Sequence, residues 1–250
     1  PAELGLKYRR IQLTTNDNLR LKGWFVRGDS SNKGIVIVHE QGGTRHAGLR
    51  YAKPLNENGF SVLMLDLRNS GDSEGQFSTL GYQERNDVLA AARFLLNNHK
   101  LKSIGVLGFA EGASAAIFAM SEEPAIKAGV FEAPYFDPVF MLDSKIDKRF
   151  GFSAGILSSL CKKIFSFRVQ WDIEEVTPGK TMAKIVSKGV FVIHGEKDRS
   201  IPIDQGVRLY QAANQPKRIL AVRNGGHLDA FNLEAERVTK EIVAFFTEHL

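Results

Sequence analysis

Residues 104–114, Ile-Gly-Val-Leu-Gly-Phe-Ala-Glu-Gly-Ala-Ser, run from an apolar strand pattern through Gly108-Phe109-Ala110-Glu111-Gly112 into a stretch of small residues. The spacing is that of a strand–turn–helix elbow, G-x-S-x-G, with alanine in the central place. So sharp a turn drives side chains two residues either side of the centre against neighbouring backbone, which calls for glycine there. It also strains the central residue and projects its side chain above the sheet. Glu111 opens the following helix, so its N–H points where an oxyanion would form. Two later segments also follow strand patterns. His194-Gly-Glu-Lys-Asp-Arg-Ser-Ile-Pro202 contains Asp198, and Gly225-Gly226-His227-Leu228-Asp229 sets His227 in a glycine turn. In the order elbow, acid, histidine these residues suit nucleophilic acyl transfer. Asp198 would orient the imidazole and stabilise its charged form, and His227 would take a proton from a hydroxyl at position 110 and return it to the leaving group. Ala110 carries no hydroxyl. A plain strand-to-helix turn packed with glycines explains the elbow taken alone, but not three strand-end segments in this order.

The elements that must hold these residues are legible as short apolar runs. They lie at 35–38, 62–65, 104–107, 129–131, 190–193 and 219–222. Continuous runs of this kind suit strands buried on both faces of a parallel sheet. Helical patterns separate most of them: Gln83 to Asn97, with Val88, Leu89, Ala92, Leu95 and Leu96 on one stripe, another from Glu111, and a last from Leu233 to His249. Before them, Tyr8 to Arg27 reads as two strands around a turn at Asn16-Asp17-Asn18. The pattern predicts a doubly wound α/β sheet with helices on both faces, formed as a single domain over residues 1–250. Residues 134–188 contain no strand pattern and are rich in Phe136, Phe140, Phe150, Phe152, Phe165, Phe167 and Trp171, with Lys145, Lys148, Arg149, Lys162, Lys163 and Arg168. They read as a helical, lid-like insertion over the C-terminal edge of the sheet, where open α/β folds bind ligands. Leu157, Leu160 and Ile164 give it an amphipathic helix. That apolar face either packs on the core, or lines an acyl pocket or touches a membrane surface.

The bulk properties exclude several classes. At 250 residues and 43% hydrophobic content the chain can bury one large core, and no apolar run approaches the ~18 residues a membrane helix needs. No signal peptide is read. The chain begins at Pro1, as expected if an N-terminal piece has been processed; the protein is then membrane-associated or exported, and otherwise cytoplasmic. The formal charge of +5 reads as solubilising rather than as a nucleic-acid footprint, because the basic residues are dispersed and no nucleic-acid motif accompanies them. The single cysteine, Cys161, permits no internal disulfide and reads as a packed thiol. No cluster has metal-ligand spacing and no glycine loop has a phosphate or dinucleotide fingerprint, so no cofactor or metal is expected. His39 and His194 end strands and read as structural, whereas His46, His99 and His249 read as surface residues. Gly71-Asp72-Ser73-Glu74-Gly75 also fits G-x-S-x-G, but no helix follows it directly, so Ser73 is expected in a flexible surface loop. Ser114 lies one helical turn beyond Ala110 and faces the helix surroundings.

With these segments on view the chain resembles the α/β-hydrolase superfamily, in the branch of single-domain bacterial esterases and membrane-anchored acyl-protein depalmitoylase-like hydrolases. Beyond the elbow and the two later segments, the resemblance is carried by Asp17-Asn-Leu-Arg-Leu-Lys-Gly-Trp24, Val38-His-Glu-Gln-Gly-Gly-Thr-Arg45, Asp66-Leu-Arg-Asn-Ser-Gly-Asp-Ser73, Leu80-Gly-Tyr82 and Gly226-His-Leu-Asp-Ala230. It implies a serine hydrolase acting on small-molecule or acyl-chain esters or thioesters through an acyl-enzyme, with the Gln41 N–H as second oxyanion donor beside that of Glu111. It also favours Asp198 over its neighbour Glu196 as the acid, from the motif ending at Ile201-Pro202. The chain departs from the family at Ala110, at Glu40 where the family has glycine, and at Asn69-Ser70 where it has Gly-His. Two readings of Ala110 stand: a Ser→Ala variant of an active hydrolase, or a natural pseudoenzyme that binds ligands or partners. Peptidase chemistry is the further alternative.

Overall fold

The computed structural model describes residues 1–29, 32–150, 154–175 and 177–250. Among the sequence expectations, those for Phe152 and for the side chains of Lys145, Lys148 and Phe150 lie outside the described residues. Eight strands form one sheet: β1 (Tyr8–Thr14), β2 (Arg20–Val26), β3 (Lys33–Val38), β4 (Ser61–Leu65), β5 (Ser103–Phe109), β6 (Ile126–Glu132), β7 (Gly189–Gly195) and β8 (Lys217–Val222). Their order across the sheet is β1-β2-β4-β3-β5-β6-β7-β8. The two N-terminal strands are antiparallel to their neighbours, and every pairing from β4 onward is parallel. This is the α/β-hydrolase fold.

Period-2 alternation builds the two layers of core. On β3, Val36 and Val38 face one layer, which receives α2 (Arg85–His99) and α3 (Glu111–Glu122). Ile35 and Ile37 face the other, where α1 (Leu49–Glu57) and α8 (Ala230–His249) bring Tyr51, Leu55, Phe245 and Phe246. α7 (Ile203–Ala212) joins the first layer through Leu209. Neither α1 nor α7 stood out from the sequence, because both are short and each contains a poor helix former, Pro54 in one and Gly206 in the other. α8 begins at Ala230, three residues before the expected Leu233, which is itself 53% exposed. Most of β8 is half-buried rather than enclosed, because it is the sheet edge and pairs only with β7. His99 and His249 are half-buried, not surface groups: each ring packs on aromatic neighbours, His99 on Phe25 at 4.0 Å and His249 on Phe245 at 4.5 Å.

Between β6 and β7 the described chain is helical: α4 (Pro138–Phe150), α5 (Ala154–Val169) and the short α6 (Pro178–Met182). Its inner aromatics close a separate cluster in which Trp171 stacks on Tyr82 at 4.5 Å, with Phe118 and Phe165 edge-on.

Beneath β4, Arg68 joins parts of the chain that the sequence keeps far apart. Its guanidinium donates to Asp87 on α2 at 2.7 Å and to Asp17, in the β1–β2 turn, at 2.7 Å. Burial pushes the Asp87 carboxyl upward and the two-pronged pairing with Arg68 pulls it back. Arg68→Ala leaves Asp87 fully buried without its cation, and is expected to lower the unfolding free energy by about 3–5 kcal/mol. In that variant burial and the nearby Glu84 carboxylate outweigh the one donor that remains, the backbone N–H of residue 68 at 2.8 Å, so Asp87 titrates above its unfolded value. Stability should therefore decline as pH rises from about 4, which urea unfolding at several pH values would register.

Candidate active site

The elbow is built as steric reasoning requires. Ala110 has φ 47° and ψ −108°, in the region that disfavours side chains, and its N–H donates to the Glu132 carbonyl at 3.0 Å. A Cβ on Gly108 would lie 2.6 Å from Ala113 Cα, and one on Gly112 would lie 2.3 Å from the His39 carbonyl oxygen. Both positions therefore admit only glycine, and that contact seats the start of α3 against the end of β3. Glu111 is the first residue of α3, so its N–H belongs to the helix N-terminus, the positive end of the helix dipole. The Ala110 methyl packs with Tyr135, Ile201 and Met141, so α4 of the insertion reaches the elbow through Met141.

Asp198 and His227 come together because two strand ends pack backbone on backbone. A Cβ on Gly195, the last residue of β7, would lie 2.4 Å from the carbonyls of both Gly225 and Gly226. Lys197 N–H bonds to Gly225 O at 2.7 Å, and Asp229 accepts from Gly226 N–H at 3.1 Å. The result is a 2.8 Å hydrogen bond from His227 Nδ1 to Asp198 Oδ2. The other carboxylate oxygen, Oδ1, accepts from Ser200 and Ile201 N–H groups at 2.8 and 2.9 Å. Burial alone would raise the Asp198 pKa, but His227 and these two N–H groups outweigh it and hold the carboxyl below the usual carboxylate range. Glu196, two residues earlier, is exposed.

The end of β3 at His39 meets the elbow at Gly112, and the segment after it continues from there. The Ser78 hydroxyl donates to the Glu111 carboxylate, and the Gln41 side-chain amide donates to Ser78 Oγ at 3.5 Å. Ser78 therefore ties the two expected oxyanion residues to one point. A cavity of about 300 Å³ opens here, lined by His39, Gln41, Asn69, Ser78 and Glu111. A larger cavity, about 940 Å³, lies elsewhere, between Leu4, α1 and α8, and none of the candidate residues lines it. Glu40 turns its carboxyl back toward Gly43, where Oε2 is buried without a hydrogen-bond partner.

Ser73 lies in the loop after β4 and is hydrogen-bonded to the sheet rather than to the candidate residues. Its hydroxyl donates to Asp66 O at 2.7 Å and accepts from Lys22 N–H at 2.9 Å. Ser114 is fully buried inside α3, and Cys161 is half-buried on α5. His39 accepts from Leu67 N–H at 2.9 Å, and His194 bonds Ile201 O at 2.8 Å, so both histidines brace loops around the site. Burial pushes both imidazoles down, so they fold neutral. Their contribution to stability is present above the unfolded imidazole value of about 6.5 and is lost as pH falls through the folded values. We expect unfolding free energy to drop on acidification below about pH 6.5. His194→Gln, which keeps a donor for Ile201 without a titrating ring, should flatten that slope in pH-dependent urea titrations.

Glu132 was not singled out in the sequence. It ends β6 beside the elbow, and burial raises the pKa of its carboxyl, which Arg50 and the Tyr51 hydroxyl, donating at 3.1 Å, partly offset. The available signal was an acidic residue closing the apolar run Gly129-Val-Phe-Glu132, at the strand edge where Asp198 also lies.

Comparison with known proteins agrees with this architecture. Residues 49–250 match the prolyl oligopeptidase family. The chain belongs to that family. Similar proteins include the uncharacterized protein YfhR of Escherichia coli, 24% identical over 232 residues, covering 89% of this chain and 74% of that one. The human protein ABHD12B is 26% identical over 192 residues, covering 73% of this chain and 51% of its own length. Among solved structures, the Pyrococcus furiosus esterase Pf2001 superposes with a TM-score of 0.78 at 26% identity, over 100% of this chain and 95% of that one. The chain is thus an α/β-hydrolase of the serine-hydrolase type.

Proposed function

We propose that this prolyl oligopeptidase-family chain is built to transfer the acyl group of carboxylic esters or thioesters to water, and that it is held inactive by Ala110. The 2.8 Å pair of His227 and Asp198, joined to the strained elbow through Ile201, which bonds Asp198 and packs on Ala110, carries this reading. That pair has no evident use unless position 110 presents a nucleophile.

In the Ala110→Ser form the hydroxyl attacks the substrate carbonyl while His227 takes its proton. The tetrahedral oxyanion is held by the N–H groups of Glu111 and Gln41. Collapse expels the alcohol or thiol, which receives the proton from His227, and leaves an acyl-enzyme. Water then repeats the sequence and releases the acid. Asp198, held ionised, keeps the imidazole in the tautomer whose other nitrogen accepts a proton. An ester or thioester is favoured over an amide because an amine is the poorer leaving group. The esterase named among the similar structures supports this choice, and the family name keeps peptidase chemistry as the runner-up.

A second reading, a natural pseudoenzyme that binds ligands or partners, is favoured by Ala110 itself and by Glu40 with its unpartnered buried oxygen in the oxyanion loop. An acyl-ester length series with the Ala110→Ser form tests the proposal. Turnover of aryl esters with a dependence on chain length supports it, and a folded variant that turns over nothing supports the second reading.

A further inference from the structure

The outward face of α5 is apolar, and among the described residues none covers it. Leu160, Ile164 and Phe167 are 53%, 57% and 87% exposed. At about 100° per residue their spacing puts them on one stripe. Three of the six large apolar side chains exposed among the described residues lie on this stripe. The helix is already anchored from its other side, where Phe165 and Val169 join the Trp171 cluster. The outer stripe is therefore surplus to folding.

Charge decides what fits it. The same spacing places Lys163 along one border of the stripe and Arg168 along the other, and both are exposed. None of the 16 residues of α5 is acidic. An apolar strip edged on both sides by long cationic side chains is the layout of a helix lying in a lipid interface. The apolar groups enter the acyl boundary while the lysine and arginine reach back to anionic headgroups. A second copy of the chain fits less well. Three side chains fall far short of the roughly 800 Å² per partner of a stable interface. A two-fold contact would also set the same cations of both copies against each other. The formal charge of +5 on the whole chain favours an anionic surface as well.

We propose that α5 docks the protein on anionic bilayers through Leu160, Ile164 and Phe167, with Lys163 and Arg168 engaging the headgroups. The insertion then faces the membrane outward while its α4 touches the elbow inward through Met141. Docking needs no turnover, so it can be tested on the chain as it stands, whatever becomes of the hydrolase reading.

The test is co-sedimentation with phosphatidylcholine vesicles prepared with and without phosphatidylserine. The chain should sediment with the phosphatidylserine vesicles and be released by salt. The combined substitution Leu160→Ser, Ile164→Ser and Phe167→Ser should weaken binding by about tenfold or more. Lys163→Glu with Arg168→Glu should abolish the preference for phosphatidylserine, each original cation contributing roughly fivefold. The triple substitution should keep the parent's thermal unfolding midpoint, because Leu160, Ile164 and Phe167 face outward, and the charge reversal should lower it only slightly, through loss of the Arg168 guanidinium's contact with the Phe77 ring at 5.1 Å. Absence of sedimentation with either vesicle at low salt would overturn the proposal, as would variants that bind like the parent. A dimer in analytical ultracentrifugation that the triple substitution dissolves would assign the face to a second copy instead.

Discussion

Replacing Ala110 by serine is expected to raise aryl-ester hydrolysis by several decades from a nearly inert start. Loss of the nucleophile from a triad costs about 10⁶ in turnover, while the remaining oxyanion hole and binding site can leave roughly 10³–10⁴ over water. The substitution adds one oxygen at a residue whose backbone is already held at φ 47° by the Glu132 carbonyl and by the close approaches at Gly108 and Gly112. No backbone adjustment is required, and the neighbours that the hydroxyl meets, Tyr135, Ile201 and Met141, include a flexible thioether. Two measurements check it: release of p-nitrophenol from a short aryl ester, and covalent labelling by a serine-directed phosphonate followed by mass spectrometry. The parent should take no label. A well-folded Ala110→Ser protein that neither hydrolyses the ester nor takes the label would refute the hydrolase reading. Attention would then turn to Glu40, whose carboxyl turns back toward Gly43 in the loop proposed to supply an oxyanion donor.

In the Ala110→Ser background, Asp198→Asn should leave the fold intact and cost on the order of 10⁴ in turnover. The aspartate presents one oxygen to His227 and the other to the Ser200 and Ile201 N–H groups. Asparagine can keep its carbonyl on the two N–H groups, but then turns an amide N–H₂ toward His227 Nδ1. That selects the tautomer whose proton sits on the wrong nitrogen and removes the charge that stabilises the imidazolium. Glu196→Gln is the control. Glu196 is exposed, and its loss should change turnover little. The two substitutions are compared by kcat on one aryl ester, with circular dichroism to show that both proteins fold. A large loss for Glu196→Gln and a small one for Asp198→Asn would assign the acid the other way round.

Much of the candidate site was legible in the sequence because the features concerned are local. Gly108 answers to Gly112 and Ala113 a few residues on, so the spacing already describes the turn, although Gly112 itself is required by the distant end of β3 at Val38 and His39. The apolar runs of β3 to β7 are continuous because both sheet faces are covered, and that alone announces a parallel sheet. Other features depend on which distant segments meet. Whether Asp198 reaches His227 was decided by the packing of Gly195 on Gly225 and Gly226, between two strand ends that are neighbours only in the sheet. Ser78 joins Gln41 and Glu111 across long stretches of chain, and Glu132 is noteworthy only because Tyr51 and the elbow converge on it. The same holds for the outer stripe of α5. The sequence shows an amphipathic helix, but an apolar stripe has no direction until the fold supplies its surroundings. Phe165 and Val169 took the core side, which left Leu160, Ile164 and Phe167 facing outward. Residue order along the chain thus determined the turn chemistry and the strand pattern, because sterics and pleat act over a few residues. Which carboxylate is ionised, which apolar face stays open and which histidines are buried were decided by tertiary packing, because desolvation and exposure belong to the neighbours a residue acquires only on folding.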